Sequence, residues 1–167
     1  RIWEDIESVH ILQSRETTAD DPSYPFRGFI GEDLTTDGRD SDRLRFSSFA
    51  HVNPGNGSTA GISEITYRVM ENDGEEGFVL IRSEVDDSRQ IEDMERAGWI
   101  LCDSLYSVNF SYYDGQGQEH RSWNSQEGSF RGRLPGRVSV TLTVMEGSDG
   151  DSLTRFTTSV APPPGKE

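Results

Sequence analysis

Cysteine is nearly absent from this sequence, which argues against both a disulfide and a zinc site. Cys102 is the only cysteine in 167 residues, so no intramolecular disulfide can form and stability must come from packing. Its apolar neighbours in the segment WILC predict a buried, inert thiol. Histidine is also scarce, with three residues in dissimilar contexts, so a zinc site built from clustered histidines and cysteines is not predicted.

Long apolar runs and positive charge are also in short supply. No run in the sequence approaches the roughly 18 apolar residues that a membrane-spanning helix needs. Basic residues number 16 against 30 acidic ones, which gives a formal net charge of −14. A chain this acidic repels phosphate backbones and anionic lipid surfaces, so no nucleic-acid partner is predicted.

Catalytic motifs are missing as well. No G-x-S-x-G sequence marks a nucleophilic serine, and the glycine-rich segment NPGNGSTAG (53–61) lacks the Gly-Lys-Ser/Thr of a phosphate-binding loop. We therefore predict that the chain is not an enzyme and has no cofactor.

Two clusters of acidic residues are the best candidates for metal ligands, because calcium prefers carboxylate oxygens from loops. The clusters are Asp37, Asp40 and Asp42, and Glu146, Asp149 and Asp151. Neither matches the ligand spacing of a calcium-binding loop, and a chain this acidic forms such clusters by chance. The sequence leaves calcium binding open, and we assign no metal site.

What the sequence does contain is a series of alternating patterns typical of β-strands. Residues 106–113 and 138–144 alternate apolar or aromatic side chains with polar ones, which predicts two strands with one face on a core. A long polar connection, 114–133, separates them. The segment 35–42 is predicted to be a turn or loop. Further strands are predicted at 26–34, 43–50, 62–70, 78–84 and 153–160.

The first 14 residues predict an amphipathic helix. Ile2, Trp3, Ile6 and Val9 fall on one stripe at helical spacing, so we expect this stripe to pack on the sheet. No capping residue precedes the helix, from which we predict a processed or truncated N-terminus. The fold class is then α+β, a helix against antiparallel sheet, in one domain over 1–161. The proline-rich end, 162–167, is predicted to be a flexible tail.

Several phrases, taken in order, resemble one protein family. They are FRGFIG (26–31), LRFSSFA (44–50), ITYRV (65–69), VLIRSE (79–84), LYSVNFSYYDGQG (105–117), RSWNS (121–125) and LPGRVSVTLTV (134–144). The ordered set resembles the periplasmic domain of the protein J family, the minor pseudopilins of type II secretion systems.

The resemblance implies a pilin-like fold and a structural role without catalytic residues. Residues 1–14 would be the C-terminal half of the long pilin helix, whose missing first half anchors the protein in the bacterial inner membrane. The partners it implies are the minor pseudopilins of the I and K types, at the tip of the periplasmic pseudopilus. On this interpretation Ile2, Trp3, Ile6 and Val9 are the residues for helix packing and partner contact.

Two other functions remain open at this point. A minor pilin of a type IV pilus would share the same fold features. A secreted β-sandwich module that binds carbohydrate or protein would need no long N-terminal helix, so the predicted helix weighs against it.

Overall fold

The computed structural model describes residues 1–11, 28–49, 62–73, 76–85, 98–146 and 152–164. These residues form one short helix, eleven β-strands and a turn of 3₁₀ helix. The described part of the chain is therefore mostly antiparallel sheet. It confirms the sheet of the predicted α+β architecture and leaves its helical half, the pilin-like helix, unconfirmed. No helix among the described residues is long and apolar enough to span a membrane.

Helix α1 spans Ile2–Glu7, so the predicted 14-residue helix is wrong in its extent. After Glu7 the chain turns at Ser8, and Val9 forms an isolated antiparallel bridge with Ser48. The backbone N–H of His10 donates to the carbonyl of Ser47 at 2.8 Å. These hydrogen bonds to a distant strand replace the i to i−4 bonds that would continue the helix. Residues 12–14 of the prediction lie outside the described part.

The strands follow the predicted order, with better defined bounds. They are β1 Phe29–Glu32, β2 Thr35–Thr36, β3 Arg39–Asp40, β4 Arg43–Ser48, β5 Ser63–Glu71, β6 Phe78–Val85, β7 Trp99–Tyr113, β8 Glu119–His120, β9 Trp123–Asn124, β10 Arg137–Glu146 and β11 Ser152–Val160. All seven predicted strands are confirmed. β7 begins seven residues before its predicted start because Trp99 and Ile100 pair with Arg82 and Ile81 of β6.

The segment 35–42, predicted as a turn or loop, instead contains a small hairpin of β2 and β3. Asp37 and Gly38 connect the two strands with φ angles of 50° and 73°. Two successive residues with positive φ are typical of the tight turns that join antiparallel strands, and Asp-Gly is a preferred sequence for them.

The large sheet has the strand order β11-β10-β7-β6-β5-β4-β1-β9, with β8 paired to β7. The connection 114–133 explains why the last strand in this order is β9. It leaves β7, pairs once with it as β8, and then crosses to the far edge, where Trp123 lies opposite Gly31 of β1. The chain then returns to β7 as β10.

This crossing brings the two halves of the sheet together around one core. The Tyr112 ring of β7 meets the Phe29 ring of β1 edge-on, with their centroids 5.8 Å apart. Gly31 lies directly under the Tyr112 hydroxyl, where a β-carbon would overlap it. Ile6 and Val9 of the N-terminal segment join the same core. At the other end of the chain, Pro162 in the predicted tail is buried, and 165–167 lie outside the described residues.

Candidate functional site: the junction between helix α1 and the sheet

The four residues predicted for helix packing and partner contact take different positions in the structure. Ile6 and Val9 are buried in the core, and Ile2 packs against it while remaining half-exposed. Trp3 points away from this packing and is 43% exposed. It is one residue from Ile2, so it lies about 100° further around the helix. The packed face is therefore narrower than the predicted stripe, and Trp3 is at the surface beside it.

A buried aspartate completes the packed face of α1. Asp5 is fully buried, and its carboxylate accepts hydrogen bonds from Arg82 Nε at 2.5 Å and Arg82 Nη2 at 3.2 Å. The Tyr67 hydroxyl donates to the same carboxylate at 2.5 Å. Arg1 Nη2 lies 2.8 Å from Asp5 Oδ1. The carboxylate thus joins the helix to β5 through Tyr67 and to β6 through Arg82.

Arg82 is equally buried, and it follows the buried residues Phe78, Val79 and Leu80 along β6. Besides Asp5, its guanidinium donates to Glu84 Oε2 at 2.9 Å, and its central carbon lies 5.8 Å from the centre of the Trp99 ring. Burial alone would lower the pKa of Arg82, but the hydrogen bonds to Asp5 and Glu84 raise it above its ordinary value. The guanidinium is therefore a permanent cation inside the protein.

The Tyr67 hydroxyl is a neutral donor beside the same Asp5 carboxylate. Burial and the nearby Asp5 charge raise the pKa of its hydroxyl well above the ordinary value, so the hydroxyl keeps its proton and donates a hydrogen bond to Asp5. We call Asp5, Tyr67, Arg82, Glu84 and Arg1 the α1 junction. Its two carboxylates and two guanidinium groups can bind and orient, but they contain no activated nucleophile.

Backbone contacts reinforce the α1 junction at the end of the helix. The Ser48 hydroxyl of β4 lies 3.1 Å from the carbonyl oxygens of both Asp5 and Ser8, to which it donates. The carbonyl of Ser8 also accepts the N–H of Phe49 at 3.0 Å. The Asp5 carbonyl also accepts the N–H of Ser8 at 3.3 Å, whereas the Ser8 carbonyl lies past the helix end and is paired by Ser48 of β4 and by Phe49 directly after it.

Sequence reasoning missed Asp5 and Arg82, although one signal was available. The predicted stripe, Ile2, Trp3, Ile6 and Val9, did not include Asp5. Arg82 follows four consecutive apolar residues in the strand predicted at 78–84, and such a run is typical of a strand covered on both sides. A buried arginine requires a carboxylate partner, which indicates a charged residue elsewhere in the core. The sequence does not indicate which carboxylate, since 77 residues separate Asp5 and Arg82.

The first acidic cluster is dispersed in the structure. Asp42 is buried, and its carboxylate accepts the backbone N–H of Leu34 at 3.0 Å and of Phe110 at 2.7 Å. Burial raises its pKa to about 6, although the two hydrogen bonds oppose the shift. Asp37 is in the hairpin turn and Asp40 in β3. Within the described ranges no three His, Cys, Asp or Glu side chains gather to hold a metal.

The second acidic cluster lies mostly beyond the described residues, since these include only Glu146. Cys102 is half-buried instead of buried, and burial raises the pKa of its thiol, as expected for an unreactive cysteine. In the 114–133 connection, Trp123 is buried, stacks on Phe130 with centroids 3.8 Å apart, and donates from Nε1 to the Arg133 carbonyl at 3.0 Å. This aromatic pair is structural.

Comparisons with known proteins bear on this arrangement. A family model described as "Type II secretion system (T2SS), protein J" matches residues 3–156, which includes most of α1 and nearly all of the sheet. No curated protein matches the chain.

Proposed function

This chain belongs to the protein J family of the type II secretion system, and we propose that it is a minor pseudopilin at the tip of the periplasmic pseudopilus. There it assembles with the minor pseudopilins of the I and K types for export of proteins across the outer membrane. Family membership implies the broader role, a minor pseudopilin in secretion. The position at the tip and the two partners are our extension of that role.

The observation that carries the proposal is the α1 junction within a chain of this family. Two charged residues, Asp5 and Arg82, are buried to hold a six-residue helix on the sheet. Burying charges is costly, and their pairing contributes little net stability compared with apolar packing. We infer that the pair instead fixes the orientation of the helix, since Arg82 and Tyr67 both donate hydrogen bonds to the Asp5 carboxylate. A protein that transmits the position of its helix to an assembly would use this property.

The same geometry separates the residues that pack α1 on the sheet from those available to a partner. Asp5 and Ile6 hold the helix on the sheet, Val9 anchors the residues that follow it, and Trp3 is at the surface. Tryptophan is enriched among the residues that dominate the energetics of protein interfaces. We therefore assign Trp3, with the exposed part of Ile2, to partner contact, and Ile6 and Val9 to packing.

The proposal includes a location and excludes a catalytic role. The protein J family is a structural component of the secretion system. We place the described domain in the periplasm of a bacterium and propose that a longer helix, of which α1 is the end, anchors it in the inner membrane. The sequence upstream of Arg1 in the gene tests the anchor: a prepilin cleavage motif followed by an apolar run is expected, and its absence would contradict it.

A reconstitution experiment tests the assembly directly. Purified periplasmic domains of the I-type and K-type pseudopilins would be mixed with this chain at low salt, and the mixture followed by size-exclusion chromatography with light scattering. We expect a complex that contains all three proteins. Minor pilins of a type IV pilus serve as the control and should elute separately. Separate elution of the three secretion proteins at micromolar concentrations would contradict the proposal.

A further inference from the structure

The last strand of the sheet leaves one edge open. In the part of the chain that the structure describes, β11 pairs only with β10, over all nine residues from Ser152 to Val160 and without a register shift. Natural edge strands are commonly protected by charged side chains, proline, a bulge, short length or a covering helix. β11, with the sequence SLTRFTTSV, has no proline and no bulge over its nine residues, and Arg155 is its single charged side chain. Among the described residues no second strand pairs with its outer backbone groups, although helix α1 also contacts this strand.

Two exposed apolar side chains accompany the open edge. Phe156 is 57% exposed and Leu153 is 50% exposed. Phe156 lies opposite Leu142 of β10, which in turn lies opposite the buried Val108 of β7. Directly opposed residues project from the same face of a sheet. Phe156 therefore lies on the core face of the sheet. It is exposed there because no strand of the described ranges lies beyond β11 to cover it.

We propose that β11 pairs antiparallel with β11 of a second copy of this chain, continuing the sheet across a two-fold axis at Phe156. Phe156 is the middle residue of β11, so this register pairs all nine residues of both strands. It places the two Phe156 rings side by side on the core face, an aromatic pair of the kind that stabilises antiparallel sheets. It also places Arg155 of each copy opposite Thr157 of the other.

Charge favours this edge over the rest of the molecule as a contact between copies. The net charge of −14 makes two copies repel each other at long range. Arg155 is the only charged residue of β11. Uncharged hydroxyl side chains also line the contact between β10 and β11: Thr141 pairs with Thr157 at 3.1 Å, and Ser139 with Ser159 at 3.3 Å. Contact at β11 therefore brings no carboxylates of the two strands together.

The opposition of Arg155 and Thr157 makes the register testable with one position. Thr157→Glu would create two Arg–Glu pairs across the axis, whereas Thr157→Lys would create two like-charged pairs. Cross-strand charge pairs of ordinary strength predict that Thr157→Glu tightens the dimer dissociation constant roughly two- to thirty-fold. Thr157→Lys should weaken it by a similar factor. Gln116→Glu and Gln116→Lys, in the exposed loop after β7, change the net charge equally and serve as controls.

Analytical ultracentrifugation of the full chain and these four variants, over a range of concentrations, provides the measurement. We expect a monomer–dimer equilibrium that shifts toward dimer between about 0.05 M and about 0.5 M salt, because salt screens the repulsion between the acidic chains. The Thr157 variants should move it in opposite directions, and the Gln116 variants should not. Circular dichroism would verify that all four remain folded.

Three results would overturn the inference. The wild-type chain could remain a monomer up to about 1 mM at both salt concentrations, well beyond the range of specific association. The two Thr157 variants could shift the equilibrium in the same direction, or no further than their Gln116 controls, which would place the contact elsewhere. Association of β11 with a different protein but not with itself would also refute it. None of these outcomes bears on the proposed pseudopilin role, which does not depend on a dimer.

Discussion

Replacing one buried carboxylate should uncouple helix α1 from the sheet. Asp5→Asn keeps the shape of the side chain and removes the charge that faces Arg82 and the Tyr67 hydroxyl. Removing one partner of a buried ion pair costs about 3–5 kcal/mol, because the other charge is left buried without compensation. We expect the lower end, about 3 kcal/mol, since Arg82 keeps its hydrogen bond to Glu84 at 2.9 Å.

Urea unfolding followed by tryptophan fluorescence measures this loss, and a double-mutant cycle assigns it. Arg82→Met alone should be destabilising for the same reason. Asp5→Asn combined with Arg82→Met should cost clearly less than the sum of the two single changes, because neither charge remains unpaired. Glu4→Gln is the matched control. Its side chain is 66% exposed and paired with Arg1 at the surface, so we expect a change within about 0.5 kcal/mol.

The reasoning about the junction would be refuted by two outcomes. One is a loss for Asp5→Asn no larger than that for Glu4→Gln. The other is strict additivity of the Asp5 and Arg82 changes, which would mean that the two charges do not stabilise each other in the folded protein.

Three further predictions concern the core. Since burial raises the pKa of Asp42 from 3.8 to about 6, the folded protein binds this proton more tightly than the unfolded chain, and the residue's contribution to stability falls as pH rises through that interval. The wild-type free energy of unfolding should therefore drop by up to about 3 kcal/mol relative to Asp42→Asn between pH 4 and pH 7, and a parallel pH dependence of the two would contradict this. Gly31→Ala should cost about 1–3 kcal/mol in urea unfolding because its β-carbon would overlap the ring and hydroxyl of Tyr112, and less in a Tyr112→Ala background, which removes both; equal cost in both backgrounds would rule out that contact. Ile6→Ala should cost about 2–5 kcal/mol in the same assay, whereas Trp3→Ala should cost much less, and similar losses would contradict their different burial.

Most strands could be predicted from the sequence because their information is local. The alternation of apolar and polar residues along 106–113 and 138–144 reflects which face of each strand meets the core, and the structure confirms both. The β2–β3 hairpin also had a local signal, the Asp37-Gly38 pair, which is typical of two-residue turns. The prediction of a turn or loop over 35–42 recognised this turn but not the two short strands beside it.

The end of the helix and the path of 114–133 could not be predicted in the same way. Helix α1 stops at Glu7 because Ser47, Ser48 and Phe49, about 40 residues further along, take the hydrogen bonds of the following residues. Trp123 pairs with β1 because the connection crosses the sheet. In both cases the decisive partner is distant in sequence, and no local pattern specifies a distant partner.

In the candidate site, too, the apolar residues could be predicted from local spacing and the buried ion pair could not. Ile6 and Val9 were predicted from helical spacing, and the structure places both in the core. The charged half of the site, Asp5 with Arg82, depends on a pairing across 77 residues and on burial that violates the usual preference of charged residues for the surface. Only the position of Arg82 in an apolar strand hinted at it.

The most direct test of the proposed assembly compares two tryptophans. Trp3 on α1 and Trp99 on β7 are 43% and 47% exposed, so their replacement by alanine removes similar exposed surface. Affinity for the I-type and K-type pseudopilin domains would be measured by isothermal titration calorimetry. We predict that Trp3→Ala weakens binding at least about tenfold while Trp99→Ala leaves it unchanged. Equal affinity of both variants and the wild-type protein would contradict the assignment of α1 to the partner interface.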